Sequence, residues 1–324
     1  MATPRLRHRQ APTLTLGLDE PLAIAIQRTT LDQFDHIVWV LRHELDRDLA
    51  VHEARKALKR IRAIVRLVRG EIGDFAYRQE NFVLREAGRK LSIARSATVV
   101  VETTRRFLDE NPSLLDPIAA RRLVVGLESR RDVVRTPVIH DRQLLTDLVT
   151  SLLAARARYA SWPIVELSID PARPWRRPMP DHFASVAPGL ERTYRRGRRA
   201  MEEALAERSA RALHAWRKRV KYLRYQHEFL EALWPPVVGA AAESLAELSD
   251  GLGVDHDHAE IAALVATRPS LILDPTSRYR FLSAVEHHRR RHQSALLAIG
   301  TRAYAETPGA FARRLGSYWD YARG

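Results

Sequence analysis

The sequence predicts an almost entirely helical protein built around an internal repeat. From Glu20 onward apolar residues recur with helical periodicity, while proline and glycine fall mostly at the breaks and alternating β-branched runs are few. Two segments also carry one pattern, His-x2-Arg-Lys-x2-Lys-x2-Arg. It occurs at His52, Arg55, Lys56, Lys59 and Arg62, and again 162 residues later at His214, Arg217, Lys218, Lys221 and Arg224.

In chain order, residues 1–18 read as a flexible basic tail. Helices are expected at about 21–48, 51–70, 75–110, 114–135 and 141–161, so that residues 19–168 form a first helical half. The stretch from Asp170 to Pro180 holds four prolines in eleven residues. Proline cannot continue a helix and restricts the residue before it, which makes 169–180 a linker. A second half, 181–324, has helices at about 181–206, 209–234, 238–267, 277–303 and 308–322. Further echoes follow the basic motif in the same order. Pro112-Ser-Leu-Leu-Asp-Pro117 is matched by Pro269-Ser-Leu-Ile-Leu-Asp-Pro275, and Leu152-Leu-Ala with Arg158 by Leu296-Leu-Ala with Arg302.

The formal net charge is +14, and 48 of the 53 basic side chains are arginine. The five lysines are Lys56, Lys59, Lys90, Lys218 and Lys221, so four of them occupy matched places in the repeat. On a helix the cations of each copy fall within roughly 120° of one another, with an apolar stripe on the other side. Ala54, Leu58, Ile61, Ile64, Val65 and Val68 form that stripe in the first copy; Trp216, Val220, Leu223, Leu230 and Leu233 form it in the second. Like charges at these offsets repel. A solvated face usually mixes signs, but in the second copy acidic residues follow only past the motif, as Glu228 and Glu231. A polyanion lying along both faces would offset the repulsion.

Such a charge balance fits nucleic acid, membrane headgroups or an inorganic polyanion. There is no cysteine, hence no disulfide and no thiol chemistry. No apolar run of signal-peptide or membrane-spanning length is present, and the expected location is the cytoplasm without membrane association.

These residues resemble the CHAD family, the conserved histidine α-helical domain. The resemblance rests on the two basic helices, on Tyr194-Arg-Arg-Gly-Arg-Arg199, and on Leu252-Gly-Val-Asp-His-Asp257. It covers roughly residues 20 to 324. It implies an all-α fold of two four-helix bundles, related by a pseudo-twofold axis around a basic central groove. It also implies non-catalytic binding of inorganic polyphosphate, with localisation on polyphosphate granules beside granule-associated proteins. The implied ligands are the ten motif residues together with Arg95, Tyr194, Arg195 and Arg198. Where the family has Leu-Gly-x2-Arg-Asp after the first motif, this chain has Leu91-Ser-Ile-Ala-Arg-Ser96, which keeps the arginine and loses the glycine and aspartate. His256 stands at that arginine's place in the second half. The glutamate-rich strand of a triphosphate-cleaving domain is absent from the sequence.

Other constellations carry less. Asp255, His256, Asp257 and His258 are consecutive, so their side chains diverge by 100° per residue and four cannot converge on one ion. With His287 and His288 they are read as no metal site. His52 and His214 sit among cations, which disfavours both protonation and a metal ion; they are placed to donate a hydrogen bond to a phosphate oxygen, or to shape the helix start. Tyr194, Tyr222 and Tyr225 are placed either to donate hydroxyls or to pack. No nucleotide cradle or catalytic triad order stands out, and no cofactor and no enzymatic activity are expected. The alternative is a general nucleic-acid-binding basic protein. It lacks a recognition motif and stacking aromatics among the basic residues, so nucleic acid is expected as a weaker competitor.

Overall fold

A computed structural model describes residues 11–139, 141–160 and 179–324, apart from the side chains of residues 93–96 and 135–139. Among the described residues there are eleven α-helices and no strand. They are α1 (Leu22–His43), α2 (Arg47–Leu67), α3 (Arg69–Lys90), α4 (Ser92–Glu110), α5 (Pro117–Ile139), α6 (Arg142–Tyr159), α7 (Ala187–Glu207), α8 (Ala210–Leu230), α9 (Ala240–Thr267), α10 (Pro275–Ala303) and α11 (Pro308–Arg323). None of them is long and apolar enough to cross a membrane.

Local chemistry sets several of these boundaries. Asp46 caps α2, its side chain accepting from the backbone N–H groups of Asp48 and Leu49. Ser209 caps α8 in the same way through Ala212. The repeated Asp-Pro pair opens α5 and α10. Asp116 accepts from Ile118 and Ala119, Asp274 accepts from Ser277, and the proline at the first helical position lacks only an N–H that would have had no helical partner. The expected helix at 75–110 is two, α3 and α4, joined at the fully buried Leu91. No proline marks that joint and the nearest glycine, Gly88, lies within α3, so periodicity runs through it.

Among the described residues two apolar cores form, and neither is confined to one half of the chain. The larger unites α1, α2, α3 and α6 with α7, α8 and α11. Within it, Leu58, Ile61, Ile64 and Val65 of α2 are almost completely buried, each worth about 1.5–3 kcal/mol by transfer from water. Gln226 of α8 donates to the backbone oxygen of Ala63 on α2 at 3.1 Å, tying the two motif helices together inside this core. Gly189 on α7 faces the backbone of Leu67, where a Cβ would lie inside contact distance of the carbonyl oxygen. The smaller core joins the α4–α5 hairpin to the C-terminal part of α9 and the start of α10, with Phe107 packed edge-on against Phe281. Its members include Leu115, Leu271 and Ile272, which belong to the Pro-Ser-Leu echoes.

Two expectations meet the structure differently. Residues 11–18, assigned to the flexible tail, are docked: Leu14 and Leu16 are buried, and the Leu16 N–H donates to the Phe229 oxygen at 2.8 Å. Two leucines spaced by two on an extended segment point to one side, which gives this segment an apolar face for the end of α8. Most of the proline-rich linker lies outside the described residues, although Met179 is buried and Pro180 accepts from Ser185.

Candidate functional site

Between the two cores lies a cleft of about 1020 Å³. All ten residues of the repeated motif line it: His52, Arg55, Lys56, Lys59 and Arg62 from α2, with His214, Arg217, Lys218, Lys221 and Arg224 from α8. Burial of the apolar stripe of each helix in the larger core leaves the cationic face to the cleft. Helices distant in sequence therefore share one surface.

Three of the motif arginines donate to neutral acceptors. Arg62 donates to Asn81 at 3.2 Å, Arg55 to the Leu91 oxygen at 3.4 Å and Arg217 to the Ser249 oxygen at 3.3 Å. Gly253 makes the last of these possible, since a Cβ there would come within 2.6 Å of the Arg217 guanidinium. The Leu252-Gly253 element thus seats a motif arginine against α9. Tyr222 and Tyr225 line the cleft as well, and their rings support cations: Arg66 lies 4.0 Å and Arg62 5.7 Å from the Tyr222 ring centre, while Arg60 and Arg224 flank Tyr225. Arg224 pairs closely with an acid, Glu228 at 2.8 Å.

Lys59 and Lys221 have no hydrogen-bond or ion-pair partner among the described residues, and both are half-buried. Burial, reinforced by Lys221, Arg55 and Arg217, pulls the Lys59 ammonium down to about 7. Burial and then Arg217 bring Lys221 down to about 8. His214 and His256, with ring centres 4.0 Å apart, are both lowered to about 4. Burial is the main cause for each, followed by His256 for His214 and by Arg217 for His256. The cations of the cleft repel one another, and a bound anion would relieve that repulsion.

The rest of the lining comes from α4, α9 and α10, and here the sequence expectation was incomplete. Arg106 adds a cation, whereas Glu102, Glu110, Asp250, Asp257 and Glu260 bring carboxylates, and His256, His258, His288 and His292 bring imidazoles. Nine lysines and arginines face five acids, so the cleft is cationic in balance but not in every part. The four-residue spacings of Glu102, Arg106 and Glu110, and of His288 and His292, were the available signal for one-faced presentation.

The Tyr194 element occupies a different place from the one expected. Tyr194 is 1% exposed, stacks on Phe311 at 4.1 Å between ring centres, and exchanges hydrogen bonds with the backbone of Glu306. Arg195 pairs with Glu191, and Arg198 with Glu202 and the Glu306 oxygen. None of the three lines the cleft. An aromatic ring on the buried side of α7 goes to the core, and the arginines beside it find i,i+4 acids on their own helix. The side chain of Arg95, on α4, lies outside the described residues.

Fold and cleft together define a helical protein in which two copies of one cationic helix share a single cavity. The chain matches the CHAD domain over residues 30–266 and belongs to that family, whose known role is polyphosphate binding. The matched span holds every residue of both motifs, while His288 and His292 lie beyond it. Among solved structures, PptA from Streptomyces chartreusis is similar with a TM-score of 0.60 at 14% identity, covering 89% of this chain and 100% of that one. The CHAD domain from the plant Ricinus communis is similar with a TM-score of 0.54 at 17% identity, covering 96% of each chain. At such identities the likeness concerns the fold. No curated protein matches the chain.

Proposed function

We propose that this protein binds inorganic polyphosphate in the cleft, without catalysis, through the ten motif residues of α2 and α8. The observation that carries the reading is the convergence of both motif copies on one cavity, with Lys59 and Lys221 half-buried and unpaired among the described residues. A polyphosphate chain has roughly one charge per phosphate, a thin profile and no bases to read, so a recessed track of cations suffices. Guanidinium forks grip nonbridging oxygens in pairs, and ammonium groups supply compact charge where space is short. Attachment to polyphosphate granules, next to granule-associated proteins, extends the same reading.

Nucleic acid is the competing ligand. A duplex carries its phosphates on the outside of a wide rod, and the cleft offers no stacking platform arranged along a strand. Titration with long-chain polyphosphate and with duplex DNA at equal salt separates the two. Polyphosphate is expected to bind at least about tenfold more tightly, and to weaken steeply with salt because binding releases counterions. Equal affinities for both polyanions would favour general nucleic-acid binding.

A further inference from the structure

Three side chains of α9 in the cleft form a constellation that anion binding does not explain. His256, Asp257 and Glu260 each bring one ligand atom to within 4.8 Å of the other two, and His256 Nε2 lies 3.5 Å from Glu260 Oε1. Their offsets account for the convergence. Glu260 is four residues from His256 and three from Asp257, so it stands between them on one helix face. The neighbouring Asp255 and His258 do not join the group. Asp255 is buried against Arg289 and Gln293, and His258 bonds the Val254 oxygen and packs beside Phe107 and His288.

We propose that His256, Asp257 and Glu260 bind a divalent transition-metal cation of the Mn²⁺ class, which joins polyphosphate to the acidic part of the cleft. One imidazole and two carboxylates are a mixed nitrogen–oxygen donor set. That set suits Mn²⁺ better than Mg²⁺, which prefers oxygen and water. Three protein donors leave coordination positions open, and nonbridging phosphate oxygens are suitable donors for them. The ion also resolves a charge conflict: two carboxylates in a cleft built for a polyanion repel it, and a divalent cation cancels their charge at that point. This inference deepens the proposed function and takes its second ligand from that reading.

The test uses the full chain, stripped with a chelator and dialysed, and Mn²⁺ alone as the probe, because free polyphosphate would itself sequester the metal. Electron paramagnetic resonance and calorimetry at pH 7.5 should show one Mn²⁺ per chain. Nitrogen coupling to the bound ion should be seen, and lost in His256→Ala. Glu260→Gln, which keeps the side-chain shape, should weaken Mn²⁺ at least about tenfold with an unchanged melting curve. Absence of stoichiometric Mn²⁺, or binding that Glu260→Gln and His256→Ala leave intact, would overturn the site. A parallel polyphosphate titration in chelator separates the two readings. Polyphosphate binding without Mn²⁺ binding removes the metal site alone, whereas Mn²⁺ binding without polyphosphate binding removes the proposed function alone.

Discussion

Polyphosphate binding should draw protons from solution at mildly alkaline pH, because two of the lysines that would meet it are uncharged there in the empty protein. Lys59 titrates at about 7 and Lys221 at about 8, against an ordinary 10.5. A phosphate oxygen beside each ammonium favours the charged form and raises both values. Affinity is then greatest below pH 7 and falls as pH rises through 7 and then 8. If the complex restores the ordinary value, raising pH from 6.5 to 9 costs up to about 80-fold through Lys59 and about tenfold through Lys221. At pH 8.5 the same values give an uptake of about 1.7 protons per binding event. Calorimetry in buffers of different ionisation enthalpy reads this number directly. The double variant Lys59→Arg/Lys221→Arg keeps its charge at every pH in this range and should take up close to none. The proton count does not depend on how well the larger guanidinium fits. Equal uptake in wild type and variant, or none in wild type, would refute the assignment of these lysines to the ligand.

Three further outcomes follow from the same structure. With no ligand, the unfolded chain binds more protons at Lys59 than the folded one, so the empty protein should gain stability as pH rises from about 7 toward 10.5, as denaturant midpoints would show. Gly189→Ala sets a methyl group against the Leu67 carbonyl oxygen, between two backbones that cannot yield as a side chain would; the expected cost is about 3 kcal/mol or more, a fall in melting temperature of roughly 4 °C or more. Asp255→Ala removes the carboxylate that the Arg289 guanidinium meets at 3.1 Å, leaves it Glu286 at 2.9 Å, and should cost about 1.5–3 kcal/mol, and Asp255→Ala/Arg289→Met should lose less than the single change in urea unfolding.

The helices were legible because amphipathic periodicity follows from which side of each helix must be buried. The motif residues were legible because the same spacing and the same scarce lysines recur. The Pro-Ser-Leu echoes marked real punctuation, an Asp-Pro start for α5 and α10, and contributed Leu115, Leu271 and Ile272 to one core. What stayed hidden depends on tertiary placement. Nothing local distinguishes Tyr194, which packs on Phe311, from Tyr222, which supports arginines at the cleft. The break at Leu91 has no proline to announce it, and Gly88 before it lies within a helical turn. The carboxylates and histidines of α4, α9 and α10 join the cleft only because the second core brings those helices beside α2 and α8. The converging donor set was also obscured by adjacency: four consecutive titratable residues diverge, and the third partner, Glu260, stands one turn further on.

The central claim is that the two repeated helices act together on one bound chain. The most direct measurement is polyphosphate affinity for Lys56→Ala/Lys59→Ala and, separately, Lys218→Ala/Lys221→Ala, beside a control with Arg5, Arg7 and Arg9 replaced by alanine. At pH 6.5, where Lys59 and Lys221 carry their charge, either lysine pair removes two charges from one helix and leaves the other helix intact. With contacts of roughly 1–3 kcal/mol each to phosphate, and both helices engaging one ligand, each pair should lose about tenfold to a hundredfold in affinity while the tail control changes little. A tail variant that loses as much as the lysine variants would show diffuse charge attraction and contradict a site in the cleft.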